Sequence, residues 1–193
     1  MVAEDVVVDD DLRPRFRLVA PQGTADVQLA VHGLHQVDNA LAAAAAALAC
    51  GLSVDEVATG LAGAALSPWR MALGTAHSGA RILNDAYNAN PTSMAAALRA
   101  LVQLPAARHT AVLGVMAELG DRSAADHVAV GELARSLGVR LIAVDAPGYG
   151  GEDAVDVLDA LTVLGRVGPD DAVLVKGSRV AGLERLAALL LES

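Results

Sequence analysis

The chain has 193 residues, and its 54% hydrophobic content rests on Ala, Val and Leu, because aromatic residues make up only 2%. A formal net charge of -9 argues against nucleic acid as the main partner, since phosphate backbones are gripped by clustered Lys and Arg. No basic start followed by an apolar core marks a signal peptide, and the longest apolar run, residues 40–52, is shorter than the roughly 20 residues that span a bilayer.

In chain order, residues 1–33 read as short strands with polar breaks. Residues 15–20 and 26–31 alternate in polarity and suggest an antiparallel pair around Pro21-Gln22-Gly23. An Ala-rich helix is expected over 37–50, ending at Gly51, with Cys50, the only cysteine, as a small buried hydrophobe. A lone cysteine excludes a disulfide within the chain and fits a cytoplasmic setting. Ser53-Val54-Asp55-Glu56 spells a capping box for a second helix reaching about Ala65. Ser67-Pro68 then breaks the pattern, and a domain boundary is expected there, dividing 1–68 from 69–193.

Beyond the boundary, 70–76 and 81–84 read as strands joined at Ser78-Gly79. Apolar runs at 110–113, 141–144 and 172–175 follow at about the 30-residue spacing of a βαβ unit. Between them, Met94, Ala97, Leu98 and Leu101 follow helical spacing behind an Asn90-Pro91 start. Ser123 with Asp126 suggests a capped helix stopping at Gly138. Further helices are expected over 152–164 and through Leu183, Leu186, Ala187 and Leu190. The predicted fold is α/β, a parallel-rich sheet flanked by helices.

The polar residues cluster just after the predicted strands, where open α/β sheets place ligands. The first strand is followed by Asn84, Asp85, Tyr87, Asn88 and Asn90. The second is followed by Gly114, Met116 and Glu118, and the last by Lys176-Gly177-Ser178-Arg179. Lys176 is the only lysine, and its segment is expected to open a helix whose free N–H groups and two cations suit an anion. Asp85 suits ribose hydroxyls or a metal, or serves as a turn acid; Asn88 and Asn90 suit turn and capping roles as well as contacts. His35 and Asn39 share a helix face, with Asn39 suited to a base edge or to capping. Trp69-Arg70 reads as a core anchor beside a cation that can meet phosphates. His127 is expected to be solvated or structural, and Glu118 and Asp121 to lie in a solvated loop. No Walker-type P-loop, nucleophile elbow or dinucleotide glycine pattern is present.

Three blocks give these residues a familiar look. Gly33-Leu34-His35-Gln36-Val37-Asp38-Asn39-Ala40-Leu41-Ala42-Ala43 is one, and Asp85-Ala86-Tyr87-Asn88-Ala89-Asn90-Pro91-Thr92-Ser93-Met94 is the second. Met116-Ala117-Glu118-Leu119-Gly120 with Val175-Lys176-Gly177-Ser178-Arg179 is the third. Together they resemble the Mur ligases. The resemblance implies a Rossmann-like C-terminal domain over 69–193, preceded over 1–68 by the strand and helix tail of a central ATPase domain without its P-loop. It implies ATP-dependent amide formation, with D-Ala-D-Ala joined to a UDP-muramoyl tripeptide through an acyl phosphate. Magnesium ligands are expected outside this chain, and the chain alone is expected to be an inactive, monomeric, cytoplasmic part of the enzyme. By match, Asn39 would face adenine, Asp85 the ribose and Arg70 the phosphates. Tyr87, Asn88 and Asn90 would shape the cleft, and Lys176, Ser178 and Arg179 would lie near the dipeptide. Ala72, Ala86 and Val115 depart from the family pattern, and Val115 keeps open a related ligase with another acceptor. A stand-alone nucleotide- or anion-binding module is the other reading.

Overall fold

Burial alternates along residues 14–18, and that alternation turns one face of the first layer inward. The computed structural model describes Met1–Ser193, which form two compact units, Met1–Ser67 and Pro68–Ser193. In the first unit, β1 (Val2–Val8), β2 (Pro14–Ala20) and β3 (Gly23–Gln28) form an antiparallel meander. Phe16, Leu18 and Val27 point inward, against Val37, Ala40 and Ala44 of α1 (Gln36–Ala49) and Val54 and Val57 of α2 (Val54–Ala62). Arg15 and Arg17 stay on the exposed face, as the two-residue period of a strand requires. The expected strand to Val31 stops at Gln28. Its partner β2 starts at Pro14, which has no N–H to extend the ladder.

The capping box of α2 is complete: Ser53 Oγ accepts from Glu56 N, and Glu56 Oε2 accepts from Ser53 N. That helix closes at Ala62, before the expected Ala65, because Gly63 takes the C-cap. Cys50 is exposed at the C-cap of α1, which corrects the expectation of a buried thiol.

The second unit holds a six-stranded sheet in the order β4-β5-β9-β6-β7-β8. Its strands are β4 (Ala72–Thr75), β5 (Arg81–Asp85), β6 (Arg108–Gly114), β7 (Arg140–Val144), β8 (Glu152–Ala154) and β9 (Asp171–Lys176). Only β4 runs antiparallel; the remaining neighbours pair parallel. Ile82, Val112, Ile142 and Val173 bury one sheet face beneath α5 (Val157–Leu164) and α6 (Glu184–Leu191). The alternate residues Leu83, Ala111, Leu113 and Leu174, all fully buried, face the layer of α3 (Pro91–Leu101) and α4 (Ser123–Ser136). The loops that follow the five parallel strands therefore all open at one edge of the sheet, their carboxyl edge.

Local chemistry adjusts four expected elements. The helix expected over 152–164 is a strand and a helix. Glu152–Ala154 pairs with Ile142–Val144, and Asp156 then accepts from Leu158 N and Asp159 N as a new cap. The strand expected from Arg70 begins at Ala72, because Trp69 (φ 64°) and Met71 (φ 48°) lie in the left-handed region. The capping box expected at Ser123 does not form; a 3-10 turn over Gly120–Arg122 runs straight into α4. The helix expected at Lys176 is also corrected. A single 3-10 turn, Arg179–Ala181, ends at left-handed Gly182, and α6 starts only at Glu184.

Candidate functional site

The carboxyl edge is organised around one buried ion pair. Asp85 ends β5 and Lys176 ends β9, and their strands pair in parallel register, so the two residues are direct partners. Lys176 Nζ donates to Asp85 Oδ2 at 2.5 Å and to the Asn88 carbonyl at 2.9 Å. Its side chain is 1% exposed and that of Asp85 12%. The other carboxylate oxygen, Oδ1, accepts from Met71 N at 2.9 Å. Tyr87 N donates to the Trp69 carbonyl, so the left-handed Trp69–Met71 segment is fastened at two points to the loop after β5. Backbone in that region costs roughly 1–2 kcal/mol per residue, and these bonds hold it in place. Lys176 is thus not a free cation at a helix start. Its charge is neutralised by Asp85, and it knits β9 to the signature loop.

The rest of the loop after β5 is self-bracing. Asn84 Oδ1 accepts from Ala86 N, and Asn88 Oδ1 from Ala89 N. Asn90 and Ser93 exchange bonds as a capping box for α3. Asn90 therefore acts first as a cap, with Pro91 at the first helical position. Tyr87 stands half-buried with the Arg70 guanidinium 3.9 Å from its ring centroid. Arg179 lies 5.0 Å from the Trp69 ring and 5.8 Å from that of Tyr87. Two cations over two aromatic rings form a flat, positively charged shelf beside Asp85. A planar or anionic group fits it.

A second loop, Gly114–Glu118 after β6, is clasped from three sides. Ser178 N donates to the Val115 carbonyl, and Ser178 Oγ accepts from Ala117 N. Met116 N donates to His127 Nε2, while His127 Nδ1–H donates to the Ser123 carbonyl. This pattern sets the tautomer. The Tyr149 ring packs at 4.7 Å on His127, and its hydroxyl donates to the Gly114 carbonyl. Burial pushes the Tyr149 phenol far above its ordinary value. His127 is therefore structural and buried. Tyr149 was not singled out by sequence. Its signal was there, as one of two tyrosines in an aromatic-poor chain. Ser178, 4% exposed, is likewise committed to holding loops together.

Next to this clasp a cleft of about 240 Å³ opens between the ends of β6, β7 and β8, lined by Val115, Asp145, Asp156, Val180 and Arg185 among others. At the opposite, amino edge of the sheet a hollow of about 320 Å³ includes Arg108 and Arg140. Both of those are tied into bidentate pairs, Arg108 with Asp171 and Arg140 with Glu152. They join strand starts rather than await a ligand. On the first unit, His35 Nε2 meets Gln36 Nε2, and Gln36 Oε1 accepts from Asn39. Asn39 is exposed at the start of α1. No three His, Cys, Asp or Glu side chains converge to hold a metal ion, and no helix is long and apolar enough to cross a membrane.

A mostly parallel sheet with helices on both faces and polar loops gathered at its carboxyl edge defines a doubly wound α/β domain, a class that places its ligands at that edge. Residues 69–179 match the family model "Mur ligase, glutamate ligase domain", and the chain belongs to the Mur ligase family. Among curated relatives, it is 44% identical over 223 residues to the UDP-N-acetylmuramoyl-tripeptide–D-alanyl-D-alanine ligase of Mycobacterium tuberculosis, covering 97% of this chain and 44% of that protein. The ligase of the same name from Escherichia coli K12 is 37% identical, covering 92% and 42%. Among solved structures, MurF from Acinetobacter baumannii superposes with a TM-score of 0.87 at 32% identity, over 99% of this chain and 44% of that one. MurF ligase from Thermotoga maritima in complex with ADP gives 0.84 at 26% identity, over 98% and 45%. The chain spans less than half the length of these relatives.

Proposed function

We propose that this chain is the C-terminal portion of an ATP-dependent ligase that joins D-Ala-D-Ala to a UDP-muramoyl tripeptide in peptidoglycan precursor synthesis. The observation that carries the reading is the signature loop 85–94, held at the carboxyl edge by the Asp85–Lys176 pair, in a chain 44% identical to a ligase of that name. ATP supplies the phosphoryl group that activates the tripeptide carboxylate, and the dipeptide amine displaces it. The contribution of this chain is positioning and charge placement. Arg70, over Tyr87, is assigned to the phosphates. Asp85 is assigned to ribose hydroxyls, since its carboxylate already carries an ammonium and offers no net charge to a cation. Tyr87 and Asn88 flank that position, and Asn39 is assigned to the adenine edge. Asn90 and Arg179 shape the acceptor side, while Lys176 and Ser178 serve it by holding the loops. The residues present do not fit magnesium, which is assigned to protein outside this chain. The working molecule is a cytoplasmic monomer.

The test is an assay of phosphate release and product mass with ATP, magnesium, UDP-muramoyl tripeptide and D-Ala-D-Ala. The 193-residue chain alone is expected to be inactive, and a polypeptide that adds an upstream P-loop segment is expected to be active. Turnover by the chain alone overturns the reading of it as a portion. Turnover only with a different acceptor overturns the dipeptide.

A further inference from the structure

His127 is a buried ionisable group to which the ligase chemistry gives no part. It is 6% exposed, and both of its ring nitrogens are taken. Nδ1 lies 2.6 Å from the Ser123 carbonyl oxygen, one helical turn back, and can bond that oxygen only by donating. Nε2 lies 3.0 Å from Met116 N and can bond that N–H only by accepting. The two bonds together admit one species, the neutral imidazole with its proton on Nδ1. A second proton, on Nε2, turns the acceptor into a donor and sets it against the Met116 N–H.

The surroundings make that conflict hard to escape. The Tyr149 ring covers the imidazole at 4.7 Å, and a Cβ on Gly148 would already meet His127 Cβ at 3.2 Å. The ring has no room to turn away, and a buried donor left unmet is costly. Nor do the ionisable groups on the packed elements offset a positive ring. The Tyr149 phenol, pushed up by burial, stays protonated and donates to the Gly114 carbonyl. Asp126 on α4 is paired with Arg122. Glu132 and Arg135 on α4, Arg99 on α3, Glu118 on the loop and Asp145 after β7 are exposed, and none of them bonds the imidazole.

We propose that His127 is a proton-sensitive latch on the loop after β6. Neutral, it holds Met116 and the turn to Glu118 at the carboxyl edge; protonated, it lets that loop open. The sign follows from proton linkage. The closed loop leaves no place for a second proton on the ring, whereas an open loop frees the ring to take one, as an imidazole in water does a little below neutrality. Closure is therefore favoured above that range and weakens as pH falls through it. Three other ties remain: Ser178 N to the Val115 carbonyl, Ala117 N to Ser178 Oγ, and the Tyr149 hydroxyl to the Gly114 carbonyl. The opening is thus local. The device stands on the geometry of this chain, whatever reaction the loop serves.

The test is amide hydrogen exchange of the ¹⁵N-labelled chain, followed by NMR from about pH 8 to about pH 5, the span over which an imidazole changes charge. Each rate is corrected for the intrinsic pH dependence of exchange. Protection of the Met116 amide is expected to fall about tenfold or more across that span, while Leu174 and Val175 in β9 keep theirs. Long-range ¹H–¹⁵N spectra of the ring are expected to show Nε2 bare and Nδ1 protonated at the upper end. His127→Phe, which fills the space and offers no acceptor, is expected to show the low Met116 protection at every pH. Met116 protection that does not change with pH in the wild-type chain overturns the proposal. So does an Nε2 that carries the proton at the upper end. An equal fall at Leu174 and Val175 overturns it too, because the unit then opens as a whole. Full Met116 protection in a folded His127→Phe chain does the same; if that variant does not fold, the wild-type series decides alone.

Discussion

Replacing Lys176 by Met removes the ammonium while keeping most of the buried stem. Two bonds are lost, to Asp85 Oδ2 and the Asn88 carbonyl, and Asp85 is left with Met71 N as its one hydrogen-bond donor. Breaking a buried pair by removing one partner costs about 3–5 kcal/mol. Asp85 keeps one donor and a side chain 12% exposed, so the low end applies, about 3 kcal/mol. Neutralising both partners, with Asp85→Asn added to Lys176→Met, removes the stranded charge and is expected to recover about half of that loss. Trp69 is the only tryptophan and lies in the second unit, so its fluorescence during urea unfolding reports on that unit. A loss below about 1 kcal/mol for the single variant would refute the argument. So would a double variant whose cost equals the sum of the two single ones, because then the residues do not act as a pair.

Three other outcomes follow from the packing and the charges. A Cβ on Gly131 would meet the Tyr149 carbonyl oxygen at 1.9 Å, which the backbone cannot relieve. Gly131→Ala is expected to cost about 3 kcal/mol or more and to lower the thermal midpoint of the second unit by calorimetry. Ser53→Ala removes the cap of α2 and is expected to cost the first unit about 1 kcal/mol by urea unfolding followed by far-ultraviolet dichroism. Asp171 is held below the usual carboxylate range, first by the hydrogen bond from Arg108. Its stabilising effect is therefore present above the unfolded carboxylate pKa and is lost as pH falls through the lower folded value. Asp171→Asn is expected to flatten the acid limb of the stability curve, while leaving the slope above neutrality unchanged.

The βα rhythm was legible because each central strand is an unbroken apolar run bounded by turn residues, as Ala172–Val175 illustrates. Asn90-Pro91 and Ser53–Glu56 were legible because a cap is a local device, complete within four residues. What escaped depends on distant partners. Glu152-Asp153-Ala154 has no apolar alternation, and only pairing with β7 makes it a strand. Lys176 meets Asp85 across 91 positions, so its rarity could be read but not its burial. Cys50 looked buried because it ends an alanine run, yet the buried stripe of α1 centres on Val37, Ala40 and Ala44, with Leu41, Ala47 and Leu48 at its margin, while Ala42, Ala43, Ala45, Ala46 and Ala49 are exposed.

Burial of the single lysine and exposure of the single cysteine together fix how the chain meets covalent reagents. Reagents and enzymes that modify lysine side chains find the one lysine ammonium 1% exposed and bonded to a carboxylate. Thiol reagents find Cys50 open at the end of α1. A maleimide dye or surface tether will attach there, on the first unit, and leave the carboxyl edge of the second unit's sheet chemically untouched.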